Sequence, residues 1–251
     1  MQEKQFITQG IILHKIDYSD TSLILEVFTE KYGKISVIVK GGKREKRADS
    51  GFYQIMNQLE FSLISQQSDM YLVHDSTYVE VLAKLDHWEI FKYQCAALEL
   101  YRNLIISNEE SHDFFEVLRN FLSYIRSVDR HHVLIFWRFL LRIFKMLGIE
   151  LNVAVCAHCL SEQKPLTHYN SQQSGFLCAD CTYELNEPCI PLESHTAFVL
   201  RSLPTIGHSL SDIDLSEPEI REINSILVRH FEDHLHQKLI FKSLKGFGSR
   251  D

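Results

Sequence analysis

The feature that most constrains this chain is a pair of Cys-x-x-Cys motifs. Cys156 and Cys159 form the first motif, Cys178 and Cys181 form the second, and 18 residues separate the two. Four thiolates at this spacing can surround one Zn²⁺ as a tetrahedral site. Because all four positions are then taken by sulfur, no place remains for an activated water. The spacing therefore predicts one structural Zn²⁺ and argues against a zinc hydrolase.

Other uses of these cysteines stay open. Each motif alone is also the pattern of a redox pair, although that use favours a βαβ context and a helix that begins at the first cysteine. Here the motifs lie among turn-prone residues in a stretch bounded by Gly175 and Pro188. Inert thiols are the third alternative. Cys95 is expected to be a small buried hydrophobic residue, and Cys189 could be a stray ligand beside a set that is already complete.

The bulk composition excludes several classes of protein. With 251 residues, 45% of them hydrophobic, the chain can form one large domain or two modest ones. The first residues do not read as a signal peptide. The longest apolar stretch, 133–149, contains three cations and is too short for a membrane span. We therefore expect a cytoplasmic protein without membrane contact, in a compartment that keeps thiols reduced.

A basic segment lies within an otherwise acidic chain. Residues 31–47 carry a local charge of +6, whereas the whole chain carries −7. The cations are Lys31, Lys34, Lys40, Lys43, Arg44, Lys46 and Arg47. The central Gly41-Gly42 pair would let the backbone approach a phosphate closely. The segment thus predicts contact with nucleic acid, and the alternative is a solvated surface loop whose charges serve solubility.

The hydrophobic pattern divides the chain near residue 82. The first 82 residues alternate apolar and polar positions over about five short stretches without crossover helices, which predicts a small antiparallel β-barrel. Aromatic residues on these strands could stack on bases if they face outward. They are Phe28, Tyr32 and Tyr71. Residues 83–251 instead show helical spacing, interrupted by the metal segment at 153–189, so the fold class is a multi-domain α+β protein.

The predicted helices cover 87–107, 111–128, 131–148 and 193–202, and a final helix follows Ser216. Ser216 and Glu219 have the spacing of a capping box. On the third helix Arg138, Arg142 and Lys145 share one face. This row suits the docking of an acidic, hydrophobic peptide tail, unless the arginines pair internally within a buried core helix.

No catalytic motif is found. His230 and His234 stand four residues apart, but Phe231 occupies the position where the catalytic zinc helix requires Glu. We expect these histidines to lie on a solvated helix face. The sequence contains no Gly-rich nucleotide loop, nucleophile elbow or two-metal nuclease pattern, and we expect a protein that is not an enzyme.

Several motifs in order along the chain resemble the RecO family of bacterial recombination mediators. The resemblance begins at Gly10-Ile11-Ile12-Leu13 and Asp17-Tyr18-Ser19-Asp20. It continues through 27–36 and Val39-Lys40-Gly41-Gly42-Lys43, then Phe139-Leu140-Leu141-Arg142 with Leu147-Gly148, and ends at the four cysteines.

This resemblance implies an OB-fold barrel at 1–82 and an α-helical domain at 83–251 with a Cys₄ zinc knuckle. It also implies a non-enzymatic, nucleoid-associated bacterial protein that binds single- and double-stranded DNA and anneals complementary strands. Together with RecR and RecF, such a protein helps to load RecA onto strands coated by single-strand-binding protein. The implied DNA contacts are Lys34, Lys40, Lys43, Arg44, Lys46 and Arg47, with Tyr32.

The zinc ligands implied by the resemblance are Cys156, Cys159, Cys178 and Cys181. We expect the C-terminal tail of single-strand-binding protein to dock near Arg138 and Arg142, on the physical grounds given above. Two rival functions remain. One is a zinc-knuckle interaction scaffold that touches no DNA, and the other is a Cys-x-x-Cys thiol oxidoreductase.

Overall fold

The computed structural model describes residues 5–43, 51–66, 70–208 and 213–244. The chain divides into two compact units, Met1–Val128 and Asp129–Asp251. The first unit therefore contains two helices in addition to the strands that precede residue 82. Within the described ranges, no helix combines the length and the apolar character that a membrane crossing needs.

The first unit is built on a five-stranded barrel. Its strands are β1 (Gln5–Asp17), β2 (Leu23–Thr29), β3 (Gly33–Val39), β4 (Asn57–Ser65) and β5 (Tyr71–Val81). They pair in the closed order β1-β2-β3-β5-β4. Four pairings are antiparallel, and β3 pairs with β5 in parallel. The expectation of an antiparallel barrel is wrong at that pair, because five strands cannot alternate direction all the way round a closed ring.

The barrel interior follows the period of two that the sequence predicts. In β3 the side chains of Ile35, Val37 and Val39 are buried and the residues between them are not. The largest contributions from β4 come from Leu59, Phe61 and Leu63, which are completely buried. These residues form one core with the buried side chains of β1 and β2.

Two helices complete the first unit. Helix α1 spans Trp88–Asn103 and α2 spans Ser111–Tyr124, close to the predicted 87–107 and 111–128. Buried Gln94 on α1 donates to the carbonyl oxygens of Leu82 (2.7 Å) and Leu122 (3.1 Å). Its own oxygen accepts from the Lys84 backbone N–H, so the amide is fully used in joining these segments.

The second unit contains four α-helices, a 3₁₀ helix (Leu203–His208) and a small sheet among its described residues. The helices are α3 (His132–Met146), α4 (Ala179–Leu185), α5 (Ser194–Ser202) and α6 (Glu217–Leu235). The sheet has the order β7-β6-β8, formed by β6 (Leu166–Asn170), β7 (Gly175–Cys178) and β8 (Ile190–Pro191). The sequence pattern did not predict this sheet, because strands of two to five residues carry too few positions for an alternation to show.

Helix α3 is the central element of the second unit. Its side chains from Val133 to Trp137 are buried, and the Trp137 indole N–H donates to the buried Oδ1 of Asn224 on α6 at 2.7 Å. Helix α6 begins with the predicted capping box of Ser216 and Glu219. This confirms the predicted start of the last helix.

Candidate metal centre and nucleic-acid interface

The four cysteines of the two motifs lie together in the second unit. The sulfur atoms of Cys156, Cys159, Cys178 and Cys181 are all within 4.8 Å of one another. Cys178 ends β7, and Cys181 lies in the first turn of α4. The first motif precedes β6 in a loop, and all of these cysteines except Cys159 are buried. The sequence spacing therefore correctly predicts that the two motifs converge.

The cluster has dimensions that suit a thiolate-bound metal ion. With a Zn–S distance of about 2.3 Å, the sulfur atoms of a regular tetrahedron lie roughly 3.8 Å apart. The Sγ atoms of Cys159 and Cys178 are 3.9 Å apart. No histidine or carboxylate belongs to this group of potential ligands among the described residues. Four close cysteines without oxygen ligands could hold a metal ion that prefers sulfur.

Backbone contacts shape the first motif. The Ala157 N–H donates to the Phe176 carbonyl of β7 at 2.7 Å, and the Leu160 N–H donates to the Cys156 carbonyl at 2.9 Å. Leu160 takes the left-handed backbone conformation (φ +57°), which turns the chain back after Cys159. At Gly175 a Cβ atom would lie only 3.0 Å from that of Ala157, so glycine allows this loop to approach the strand.

The surroundings of two of the sulfur atoms shift the pKa values of their thiols in opposite directions. Burial acts to raise the pKa of the Cys156 thiol, but backbone N–H groups of Cys159, Cys178 and His158 together lower it to about 6. The Cys178 N–H, for example, lies 3.4 Å from Cys156 Sγ. Burial raises the pKa of the Cys181 thiol, and neighbouring cysteines add to this rise. The Cys156 sulfur is therefore prepared as a thiolate, and a bound cation would favour loss of the proton from Cys181.

The remaining two cysteines lie outside this cluster. Cys189 accepts a hydrogen bond from Asn170 Nδ2 at 3.3 Å and does not belong to the group of four. Cys95 is partly buried on α1, and burial raises the pKa of its thiol to about 11. Such a thiol is inert at neutral pH.

The described part of the basic segment spans β3, and the two lysines that follow the strand lie at its end. Lys40 is exposed there, directly after the strand. Lys43 is fixed against the turn between β1 and β2, since its Nζ donates to the Ser19 carbonyl at 2.6 Å and pairs with Asp17 at 3.3 Å. Arg44, Lys46 and Arg47 lie outside the described residues.

The fold itself explains why glycine occupies positions 41 and 42. Gly41 has a positive φ of +69°, which glycine adopts without strain. A Cβ atom on Gly42 would lie 3.0 Å from Val39 Cγ1 and 3.1 Å from Leu23 Cδ1. The pair therefore forms a tight turn over the barrel core, which explains both glycines without a phosphate.

Lys34 is engaged within the first unit. Its Nζ donates to the carbonyl oxygen of Leu104 at 3.0 Å and to that of Arg102. Burial lowers the pKa of this ammonium, Glu26 partly opposes that effect, and the Arg102 charge adds to it. Lys34 thus occupies the C-terminal end of α1, where carbonyl groups lack intrahelical partners.

The aromatic residues expected to stack on bases face inward. Phe28 is completely buried against Tyr101, with the ring centres 5.0 Å apart. Tyr32 and Tyr71 pack on Phe6 at 4.6 and 5.2 Å, beside the barrel core. The condition that they face outward is therefore not met.

An exposed aromatic residue near the basic segment is Tyr18, in the turn that binds Lys43. Sequence reasoning did not single it out as a contact. Its position between two strands, in the polar run Asp17-Tyr18-Ser19-Asp20, was the available signal.

The basic row on α3 faces solvent. Arg138, Arg142 and Lys145 are exposed, and Lys145 pairs with Glu150 at 3.0 Å. Arg138 and Arg142 form no ion pair or side-chain hydrogen bond with any residue in the described ranges. The alternative of internally paired arginines is therefore wrong within those ranges.

The expectation that His230 lies on a solvated face is also wrong. His230 is completely buried, because α6 packs this side against the sheet and α3. Its Nε2 donates to the Ile149 carbonyl at 2.8 Å, and its Nδ1 accepts from the Tyr169 hydroxyl at 3.3 Å. Both ring nitrogens are used, so His230 is a satisfied core residue and not a metal ligand.

Comparison with known proteins decides the family. Residues 1–82 match the family model described as Recombination protein O N terminal, and residues 89–244 match Recombination protein O C terminal. The chain belongs to the RecO family. The two matched regions cover the barrel and nearly all of the helical part.

Curated relatives agree with this assignment. A protein of Acetivibrio thermocellus named DNA repair protein RecO is 23% identical over 235 residues, which is 92% of each chain. The protein of that name from Chloroherpeton thalassium is 25% identical over 251 residues, or 96% of each chain. That of Prosthecochloris aestuarii is 30% identical over 151 residues, covering 59% of this chain and 57% of the relative. The family is thus that of RecO DNA repair proteins.

Proposed function

We propose that this RecO-family chain is a non-catalytic recombination mediator. It binds single- and double-stranded DNA, anneals complementary strands and helps to load RecA onto strands coated by single-strand-binding protein, together with RecR and RecF. The observation that carries the proposal is the family match over both parts of the chain, on a barrel with a basic segment after its third strand. Its place of action is the bacterial nucleoid.

The proposed domains are an OB-fold nucleic-acid-binding barrel at 1–82 and a helical domain at 83–251. In the barrel, Lys40, Lys43, Arg44, Lys46 and Arg47 contact phosphates. We omit Lys34 from this surface because its ammonium donates to two carbonyls at the end of α1 and burial there lowers its pKa. We omit Tyr32 because its ring packs beside the barrel core. Phosphate contacts of this kind hold strands without reading their sequence.

Annealing follows from charge. Two complementary strands repel each other, and cations that neutralise both backbones lower that repulsion so that pairing proceeds without ATP. The chain carries −7 overall, so the remaining cations of the basic segment must supply the attraction. Binding should therefore be steeply salt-dependent.

In the helical domain we propose one structural Zn²⁺ bound by the four clustered cysteines. The metal would hold the first motif, β7 and the start of α4 together, and its closed sulfur shell would leave no position for chemistry. The exposed arginines 138 and 142 would accept the acidic C-terminal tail of single-strand-binding protein.

The test is annealing of two labelled complementary strands without ATP, with binding measured over a salt series. The triple variant Arg44→Ala, Lys46→Ala and Arg47→Ala should lose most binding and annealing. It retains Lys43, so the turn contacts stay intact. A matched control removes three cations of the second unit, Arg221, Lys238 and Lys242, and should bind as the wild type does.

Two outcomes would contradict the proposal in different ways. If the triple variant and the control bind equally well, the basic segment is not the DNA surface. If the wild type binds neither single nor double strands at low salt, the interaction scaffold becomes the better function.

A further inference from the structure

The turn between β1 and β2, residues 17–22, presents an aromatic ring on a fixed backbone. The Tyr18 N–H donates to the Ser22 carbonyl at 3.1 Å, and the Ser22 N–H donates to Ser19 Oγ at 3.2 Å. The Tyr18 residue is 58% exposed. Its side chain makes no hydrogen bond or ring contact with another residue in the described ranges. An exposed ring without a partner, on a backbone held by hydrogen bonds, is suited to binding a flat group.

Lys43 links this turn to the basic segment. Its backbone N–H donates to the Thr21 carbonyl at 3.0 Å, and its Nζ contacts Ser19 O and Asp17 on the other side of the turn. The chain therefore leaves the barrel core and enters the basic segment against the β1–β2 turn. Arg44, the next residue in sequence, begins the densest part of that segment.

The charges of the turn favour a base over a phosphate. Asp17 and Asp20 lie one residue before and two residues after Tyr18 in the sequence, and of these two only Asp17 is paired with Lys43. A phosphate placed over Tyr18 would meet these carboxylates, whereas the neutral face of a nucleobase would not. Phosphates would instead lie against the cations Lys40 and Lys43. We therefore expect a base to bind at the turn and the DNA phosphates to bind at the cations of the basic segment.

Other aromatic rings of the barrel do not offer the same surface. Phe28, Tyr32 and Tyr71 pack inward. Tyr78 on β5 is exposed, but its ring already has a partner, since it lies 5.8 Å from the ring of Phe52. Tyr18 thus combines exposure, a fixed backbone and an adjacent cation, Lys43.

We propose that Tyr18 is a stacking platform for an unpaired base, next to a phosphate contact made by Lys43. The ligand class is an unpaired nucleobase of single-stranded DNA. This inference rests on the proposed DNA-binding function. A fully paired duplex keeps its bases stacked on one another, so Tyr18 contributes to binding single strands and not duplexes.

The experiment compares Tyr18→Ala with Tyr18→Phe and with the control Tyr183→Ala, which alters a fully exposed tyrosine of the second unit. Binding is measured by fluorescence anisotropy with an oligothymidine and with a hairpin duplex without unpaired ends. Tyr18→Ala should weaken single-strand binding about 10-fold and leave duplex binding within about twofold. Tyr18→Phe, which keeps the ring, and Tyr183→Ala should bind both as the wild type does.

The salt series supplies a second readout. Stacking releases no counterions, so the slope of log affinity against log salt should be the same in Tyr18→Ala and in the wild type. An equal loss for duplex and single strand, an unchanged single-strand affinity in Tyr18→Ala, or a Tyr18→Phe as weak as Tyr18→Ala would overturn the inference. These results differ from failure of the proposed function, in which the wild type itself binds no DNA.

Discussion

The ammonium of Lys34 donates to the backbone carbonyl of Leu104, 3.0 Å away, and so connects β3 with the end of α1. The Arg102 carbonyl accepts from the same ammonium, and the Arg102 guanidinium pairs with Glu26 of β2 at 2.6 Å. A cation at this end of a helix is favourable because unpaired carbonyls carry partial negative charge. The barrel thus holds the last turn of α1 by side chains from two of its strands.

Lys34→Ala is therefore expected to affect stability and not DNA binding. Loss of these hydrogen bonds should reduce the free energy of unfolding by about 1–2 kcal/mol, measured by urea denaturation. The matched variant is Lys40→Ala, which removes an exposed lysine at the end of the same strand. It should leave stability unchanged and weaken single-strand binding. If instead Lys34→Ala weakens DNA binding and leaves stability unchanged, Lys34 belongs to the DNA-binding surface.

Metal binding is expected to require the four clustered cysteines only. Protein purified without added metal should contain about one zinc per chain, and Cys156→Ser or Cys181→Ser should abolish that content because a thiolate ligand is lost. Removal of the metal ion should also destabilise the segment around β6, β7 and α4, since these elements converge on the sulfur atoms.

Cys189→Ser is the matched control for metal binding. This thiol lies outside the group of four and accepts a hydrogen bond from Asn170, a role that a hydroxyl can also fill. Zinc content should stay at one in this variant. Full zinc in Cys156→Ser, or none in the wild type, would contradict the structural-metal proposal and favour redox use.

The basic row of α3 should bind an acidic peptide. A labelled peptide with the acidic, apolar-ended tail of single-strand-binding protein should bind the wild type, and Arg138→Ala with Arg142→Ala should weaken binding at least 10-fold. These arginines have no partners among the described residues, so their removal leaves no internal charge unpaired. Arg221→Ala, an exposed arginine on α6, serves as the control. If the double variant binds the peptide as tightly as the wild type does, this face of α3 is not the peptide-binding site.

Sequence patterns correctly predicted the long helices and strands and the convergence of the four cysteines. The alternation in β3 and the helical spacing of α1 to α3 each extend over seven residues or more, and the structure follows them. The capping box at Ser216 was predictable because its contacts are local. The convergence of the cysteines was predictable because metal geometry fixes their spacing.

Features set by tertiary contacts were not predictable in the same way. His230 is a polar residue of α6, yet packing against Tyr169 and Phe144 buries it completely. Lys34 lies within a basic run, yet a helix 70 residues later accepts its hydrogen bond. In both cases the local sequence gives the chemistry of a side chain, and distant residues decide what it contacts.

The capping box of α6 should give a pH-dependent contribution to stability. Hydrogen bonds from the Ser216 hydroxyl and N–H, and then from His195, lower the pKa of Glu219 to about 2. A carboxylate with a lowered pKa stabilises the folded state above its ordinary pKa near 4.5, and this contribution is lost as pH falls toward 2. Glu219→Gln should cost about 1 kcal/mol at pH 7, and the difference from the wild type should shrink between pH 4.5 and 3.

Glu217→Gln tests whether the effect belongs to the box. Glu217 lies in the same first turn, is exposed, and is not part of the capping box. Its loss should cost no more than the few tenths of a kcal/mol of a helix-dipole interaction. Equal costs in both variants at pH 7 would mean that charge near the helix end, and not the box, stabilises α6.

Buried His230 should make the second unit sensitive to mild acid. Burial lowers the pKa of His230 to about 4, and His234 adds to this effect, while the Ile149 carbonyl and Asp233 partly oppose it. Between pH 6.5 and 4 the unfolded chain binds a proton at this residue and the folded chain does not, so stability falls as pH falls. With about 1.4 kcal/mol for each pKa unit, this one residue contributes about 3 kcal/mol of the loss.

Urea denaturation between pH 7.5 and 4.5 measures this contribution by comparing the wild type with His230→Gln. The variant should be less stable at pH 7.5, because the amide cannot reproduce both ring hydrogen bonds, but its stability should fall less steeply below pH 6.5. His74→Gln, which replaces an exposed histidine on β5, should keep the slope of the wild type. If His230→Gln also keeps that slope, protonation elsewhere in the chain causes the acid sensitivity, and His230 acts only through its packing and its two hydrogen bonds.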